Sequence, residues 1–263
     1  MKRAVAFVCW MMLTMLSYGQ IRLTKLILRP KETYELKESD ILVVDTLIMM
    51  DSSRILLNKL KKENFLHVKK MIFGRGCFID GKGVQGLKGR NGRSGTSSSG
   101  PCSTGGTGSM GTEGTNGGAG INLFLSFSDI VFRGTLTIDV AGGDAGDGGT
   151  GGLGGGGGSG TRLCAGGTGG NGAAGSNGGN GGNSGNIIFN VPSIPELRTM
   201  LGERIIVRNY GGNLGSAGDG GSGGYSGLSP TGNNKLDGKP GKKGPKGKDG
   251  IAGKPGAITF QDK

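Results

Sequence analysis

Short segments along the chain alternate hydrophobic and polar residues, which is typical of strands with one buried face. Five precede residue 80 and five follow residue 120, with Asp, Ser and Gly between several of them. Short strands at this spacing predict a β-solenoid or a small sandwich. A helical turn is expected at 195–201, and 56–66 is read as strand with a short helix as the alternative. The strand-like segments are 21–30, 41–50, 54–57, 65–68, 71–79, 121–128, 135–140, 186–191, 204–208 and 257–260.

Between these segments, glycine returns at every third residue. A period of three belongs neither to an α-helix nor to a strand, but to the polyproline-II screw, which rises about 3.1 Å per residue. Bare glycine faces let neighbouring backbones approach and hydrogen-bond to one another. The glycine runs, numbered in chain order, are run 1 (83–95), run 2 (105–120), run 3 (143–158), run 4 (166–181), run 5 (212–227) and run 6 (238–256).

The runs come in pairs, each pair joined by a loop, and strand-like segments separate one pair from the next. We therefore predict an all-β base, a β-solenoid or small sandwich, carrying a bundle of six polyglycine-II helices in three hairpins. The loops 96–104, 159–165 and 228–237 would all lie at the distal end. The predicted domains are a signal peptide (1–19), an N-terminal β-region (20–80) and the bundle with interleaved strands (81–263).

Composition restricts how the glycine region can be stabilised. Glycine contributes 61 of 263 residues and aromatic residues only 5%, so a conventional side-chain core cannot extend over the runs. Unpaired glycine runs would be disordered linkers. The unbroken phase and the similar run lengths favour the ordered bundle over that alternative.

The N-terminus has the features of a secretory signal peptide. Lys2 and Arg3 precede an apolar stretch that is too short to span a bilayer comfortably, and Ser17 and Gly19 are small residues before a cleavage point at Gln20. The signal resembles those of Gram-negative bacteria of the Bacteroidota type. We expect a secreted or cell-surface protein without a membrane span.

Three cysteines remain after removal of the signal peptide. Cys102 and Cys164 fall in the first two distal loops, which the hairpin arrangement brings together. In an exported protein this predicts a Cys102–Cys164 disulfide. Cys77, in an apolar strand-like segment, is expected to be a buried free thiol.

The positive charge is uneven. The formal net charge is +12, and the first and last runs are basic whereas the four between them are not. If runs 1 and 6 flank the same edge of the bundle, their side chains form one cationic strip. That strip is either a solvated edge that prevents stacking or a weak contact for polyanions such as acidic polysaccharide or extracellular DNA. Its residues are Lys88, Arg90, Arg93, Lys239, Lys242, Lys243, Lys246 and Lys248.

Motifs for catalysis or cofactor binding are matched only literally. Residues 81–86 match GxGxxG and 220–224 match GxSxG, but both are by-products of the glycine period. His67, the only histidine, lies in a strand-like segment and is interpreted as structural. Asp144 and Asp147 are interpreted as solvated aspartates, with a calcium site as the alternative. We expect no enzyme, cofactor or metal.

The glycine runs resemble those of several protein families. Residues 238–256, with their Gly-Lys-Pro triplets, resemble bacterial collagen-like sequences. The other runs resemble the polyglycine-II bundles of snow flea antifreeze proteins. Residues 166–175 also resemble the glycine-rich repeats of mycobacterial PGRS surface proteins, and phage tail-fibre tip adhesins are a further likeness.

Resemblance in fold does not by itself give function. From the signal peptide and the predicted hairpins on a β-base, we expect an exported structural or surface-display protein of the cell envelope or extracellular matrix, with an envelope or matrix partner. The first alternative is an adhesin that uses the distal loops. Ice binding is the second, although it calls for a regular row of small residues such as Thr, and the non-glycine residues here are mixed.

Overall fold

The computed structural model describes residues 20–230, 232 and 236–263. The predicted signal peptide lies outside them, as does part of the third distal loop. Within these residues the chain forms eleven strands and one helix. In chain order they are β1 (Gln20–Leu28), β2 (Thr33–Glu35), β3 (Ile41–Met49), β4 (Arg54–Leu56), β5 (Glu63–Phe73), β6 (Cys77–Asp80), β7 (Asn122–Phe132), β8 (Leu136–Asp139), β9 (Ile187–Val191), α1 (Ile194–Met200), β10 (Ile205–Arg208) and β11 (Ile258–Asp262).

The strands alternate between two parallel sheets. Sheet A has the order β1-β3-β5-β7-β9-β11, and sheet B has the order β10-β8-β6-β4-β2. Each strand therefore pairs with the strand two positions further along the chain. This is the path of a two-sheet solenoid, so the solenoid is the correct member of the predicted pair. Strands β7 to β11 extend the sheets begun by β1 to β6, and the domain boundary predicted after residue 80 falls inside both sheets.

The core lies between the two sheets and consists of stacked, in-register side chains. Leu66 pairs with Leu125 and Phe73 with Phe132 on neighbouring strands, and the ring centroids of the two phenylalanines are 5.9 Å apart. Ile79 of β6 and Ile138 of β8 are fully buried on sheet B. Each such side chain stabilises the fold by about 1.5–3 kcal/mol relative to an exposed position.

A corner in sheet A was not evident from the sequence. Pairing is interrupted at one stacked level in the long strands, at Asp45 of β3 and Lys69 of β5. The buried positions of β3 shift there from even to odd numbers. Asp45 and Lys69 both point outward and form an ion pair of 2.7 Å, and Lys69 holds the pKa of Asp45 below its ordinary value.

Most predicted strands are present, with two differences. The short-helix alternative for 56–66 is wrong, because β4 ends at Leu56 and β5 begins at Glu63. Strand β2 lies in a polar segment that shows no alternation, and it pairs with β4 through the backbone. The helical turn expected at 195–201 is α1.

The glycine runs connect the two sheets. Runs 1, 3 and 5 leave sheet B after β6, β8 and β10, and we call them the outgoing layer. Runs 2, 4 and 6 lead into β7, β9 and β11 of sheet A, and we call them the returning layer. Each pair of runs thus takes the place of the short loop that joins a strand of sheet B to the next strand of sheet A. The order of runs within a layer follows the order of strands in its sheet.

Candidate functional site

Backbone hydrogen bonds join all six runs at a three-residue repeat. One level passes through every run: the N–H of Gly250 donates to Gly215, Gly215 to Gly179, Gly179 to Gly146, Gly146 to Thr115 and Thr115 to Leu87, over 2.9–3.0 Å. Bonds within a layer add to this, such as Gly86 N–H to Asp144 O at 2.7 Å. A Cβ atom at the repeating glycines would overlap the carbonyl group of a neighbouring run. Only glycine fits these positions.

The number of neighbouring runs accounts for differences in composition. Within the described residues, runs 3 and 4 each hydrogen-bond to four other runs, whereas runs 1 and 6 bond to two. Runs 3 and 4 accordingly have a second buried column of small residues at three-residue spacing, such as Gly148 and Gly151 in run 3. The corner runs need one glycine per triplet, and their other positions hold long charged side chains.

Side chains at the remaining positions cap backbone N–H groups of the adjacent run. Thr115 Oγ1, Thr112 Oγ1 and Ser109 Oγ accept from the N–H groups of Leu87, Arg90 and Arg93 at 2.6–2.7 Å. A second ladder joins runs 4 and 6 and their extensions, where asparagine Oδ1 atoms accept over 2.8–2.9 Å. Its members are Asn171, Asn177, Asn180, Asn183 and Asn186, bonded to residues 242, 248, 251, 254 and 257.

Asp144 and Asp147 belong to a third ladder. Their Oδ1 atoms accept from the N–H groups of Asn213 and Ser216 at 2.7 and 2.8 Å. Among the described residues, no group of three or more His, Cys, Asp or Glu side chains is arranged to hold a metal ion. The two carboxylates join runs 3 and 5.

The distal end of the bundle is cross-linked. Cys102 and Cys164 form the predicted disulfide, with a Cα–Cα distance of 6.1 Å. The N–H of Cys102 donates to Ser159 O, and that of Gly160 donates to Leu228 O, so the described parts of the three loops are neighbours. Leu163, Tyr225 and Leu228 are 98, 89 and 65% exposed there.

The basic runs do not form one strip. Run 1 bonds to runs 2 and 3, and run 6 bonds to runs 4 and 5. They lie at diagonally opposite corners of the two-layer bundle, so the expectation that they flank one edge is wrong. Arg90 and Arg93 lie at one corner and Lys246, which pairs with Asp219 at 3.8 Å, at the other. The strip was inferred from the positions of runs 1 and 6 at the two ends of the glycine region. The runs follow the order of the strands in the sheets, so the first and last runs lie at opposite ends of the bundle.

The remaining candidate side chains have structural environments. The ring of His67 lies 6.5 Å from Phe65 and 5.4 Å from Phe124, and burial, with a smaller effect of Lys263, lowers its pKa. Cys77 is the predicted buried free thiol, and its Sγ donates to the Met50 carbonyl at 3.3 Å. Ser222 of the GxSxG match lies in run 5, where its carbonyl accepts from Gly154 N–H.

In the described part of the chain, no helix has the length and apolar character to cross a membrane. Comparison with protein-family models, with curated proteins and with solved structures gave no match.

Proposed function

We propose that this is an exported, non-enzymatic structural protein whose six runs are polyglycine-II helices that hold three loops at a fixed distance from a β-solenoid base. The observation that carries the proposal is the hydrogen-bonded level from Gly250 to Leu87, which crosses all six runs. The three-residue repeat of these bonds equals the repeat of the polyproline-II screw. Run 3 would be about 50 Å long at that rise.

Rigidity is the property that such a bundle provides. Glycine loses more conformational entropy on ordering than any other residue, so the runs require dense hydrogen bonding. The ladders of Thr, Ser, Asn and Asp supply bonds beyond those of the glycine N–H groups. A rigid rod with a cross-linked end suits display or scaffolding in an envelope or matrix.

Export is supported by two independent features. Residues 1–19 have a signal-peptide pattern, and the Cys102–Cys164 disulfide is typical of oxidising compartments. A non-enzymatic role is supported by the setting of His67, whose ring contacts aromatic side chains.

Expression of the full chain in a Gram-negative host tests the proposal. We expect the mature protein to begin at Gln20, to have Cys102 and Cys164 linked, and to appear outside the cytoplasm, with the distal loops accessible to antibody. A matched chain lacking residues 1–19 should remain in the cytoplasm with reduced cysteines. Cytoplasmic retention of the unprocessed full chain would contradict the proposal.

Adhesion through the distal end is a second candidate, and the exposure of Leu163, Tyr225 and Leu228 favours it. Exposed apolar side chains on a rigid support are typical of contact surfaces. Beads coated with the protein should attach to the surface of the cells that export it, and replacing all three residues by Ser should abolish this attachment. Leu153→Ser, on the side of run 3, is the matched control and should leave attachment unchanged.

Ice binding is less well supported. The outward column of run 4 contains mainly asparagine, and most of its Oδ1 atoms already accept N–H groups of run 6. Those acceptors are committed to holding the runs together.

A further inference from the structure

A cationic cleft lies where the bundle meets the base. It has a volume of about 410 Å³ and is bordered by the turn between β4 and β5 and by the first residues of run 1 and the last of run 2. Four lysines line it: Lys59, Lys61, Lys62 and Lys82. The nearby carboxylate of Asp80 is shared between Arg54 at 3.7 Å and Lys59 at 3.8 Å, so most of the positive charge is not neutralised.

A backbone donor is also exposed in this cleft. The hydroxyl ladder of run 2 reaches Thr115, and the next residue of that column is Gly118, which has no hydroxyl group. The N–H of Val84 lies opposite: a Cβ on Gly118 would be 2.9 Å from the Val84 nitrogen. Within the described residues this N–H has no hydrogen-bond acceptor. Val84 and Gly118 both line the cleft.

The other long ladder shows that such an interruption need not leave an N–H exposed. Between runs 4 and 6 the asparagine column is interrupted at Ala174, and the facing residue is Pro245, which has no N–H. At Gly118 the facing residue is Val84, which retains its donor. An unpaired N–H beside four ammonium groups matches an anionic group.

Positive charge continues from the cleft along the bundle edge. Arg90 and Arg93 follow Val84 in the same column of run 1, two and three triplets further on, and Lys88 lies in the next column. All three residues are exposed. Successive positions of a column are about 9 Å apart at the polyproline-II rise. The edge therefore extends the cleft into a linear cationic track.

We propose that this cleft and track bind a linear acidic polysaccharide, with a carboxylate held by the lysines and the Val84 N–H. The proposal goes beyond the scaffold role and does not depend on it. Polysaccharide is favoured over nucleic acid because the residues that line the cleft include no aromatic side chain, whereas single-stranded nucleic acid is bound through base stacking on aromatic rings.

The test measures retention on immobilised alginate, a polymer of uronic acids, as a function of salt concentration. Lys59→Gln, Lys61→Gln and Lys62→Gln together should weaken binding by about tenfold or more and reduce its salt dependence. Lys239→Gln, Lys242→Gln and Lys248→Gln on run 6 remove the same charge elsewhere and should change affinity less than about twofold.

A neutral variant separates the donor from net charge. Val84→Pro removes the N–H, and Pro245 shows that a proline is accommodated after the repeating glycine. This variant should weaken alginate binding with an unchanged melting temperature. Equal losses in the two lysine variants, an unaffected Val84→Pro, or equally tight cleft-dependent binding of oligodeoxythymidine would each overturn the proposal.

Discussion

Ala174 of run 4 lies opposite Pro245 of run 6: it interrupts the asparagine ladder at the residue of the facing column that has no backbone N–H. Asn171 and Asn177, three residues to either side, accept from the N–H groups of Lys242 and Lys248 at 2.9 Å. The Gly175 N–H donates to the Pro245 carbonyl at 3.0 Å, which fixes the register. The two runs are therefore complementary in sequence although 71 residues separate the partners.

This complementarity predicts a compensating pair of mutations. Pro245→Ala should lower the free energy of unfolding by about 1 kcal/mol, because it creates an uncapped N–H and loses proline's restriction of the unfolded chain. Adding Ala174→Asn should recover about 1 kcal/mol through the new hydrogen bond. Denaturant unfolding of both single variants and the double variant measures the coupling. Strict additivity would contradict the register.

Removal of one asparagine acceptor should be measurable at a single amide. Asn180→Ala leaves the Ile251 N–H without its 2.9 Å acceptor and should cost about 0.5–1.5 kcal/mol. Asn180→Asp keeps an oxygen at that position and serves as the control. Hydrogen exchange at Ile251 should accelerate in the first variant only.

Gly149→Val should disrupt run 3. A side chain there would overlap the carbonyl group of Arg90 in run 1, and because a backbone cannot move aside as a side chain can, we expect a loss of about 3 kcal/mol or more. Thr150→Val, at the adjacent exposed position, should change stability by less than about 0.5 kcal/mol. Similar melting temperatures for the two variants would show that the runs are not closely packed.

Amide hydrogen exchange should be slow for the N–H groups in the hydrogen-bonded level that crosses all six runs. The N–H groups of Gly146 and Gly179 donate inside the bundle and should exchange far more slowly than those of Gln85 and Ser94, on the exposed side of run 1. Exchange at the unfolded-chain rate throughout runs 3 and 4 would rule out the bundle.

The Cys102–Cys164 disulfide should add stability without determining the fold. It closes a loop of 62 residues, which corresponds to about 4 kcal/mol in the chain-entropy model. Mild reduction should lower the free energy of unfolding, measured by denaturant titration, by a similar amount. Cys102→Ala/Cys164→Ala, unchanged by reductant, is the control.

Cys77 should make stability depend on pH in the alkaline range. Burial raises the pKa of its thiol above the ordinary 9.0. The folded chain therefore keeps a proton that the unfolded chain releases, and stability is lost as pH rises above 9.0. Cys77→Ala should reduce this slope. Rapid alkylation of native Cys77 at pH 8 would contradict its burial.

Glycine phase and hydrophobic alternation were enough to predict the all-β base, most of its strands and the disulfide. Alternation could not reveal β2, whose residues pair through the backbone, or the corner at Asp45 and Lys69, where two short alternating patterns of opposite phase meet. The existence of β2 and the position of the corner both depend on the neighbouring strand, and the sequence of one strand alone does not show which strand is its neighbour.

The placement of runs 1 and 6 was wrong for a similar reason. Their positions as the first and last runs of the chain indicated an edge position, which is correct, but not which edge. A usable signal was present: the second glycine column in runs 3 and 4, as at Gly148 and Gly151, marks the two interior runs and leaves runs 1, 2, 5 and 6 at the ends of the layers. The interruption at Gly118 had no signal of its own, because its meaning depends on the N–H of Val84.

Each hairpin begins and ends at strands of the solenoid, and its runs bond to their neighbours at every third residue. The distance between base and tip can therefore change only in steps of one triplet. Removing one triplet from a single run would shift its Asn, Thr and Asp acceptors past their partners and leave the Cys102 loop at a different height from the Cys164 loop. Shortening all six runs by the same triplet would preserve every ladder. Related sequences could therefore differ in the length of the bundle by whole triplets in all six runs, while the base and the distal loops stay the same.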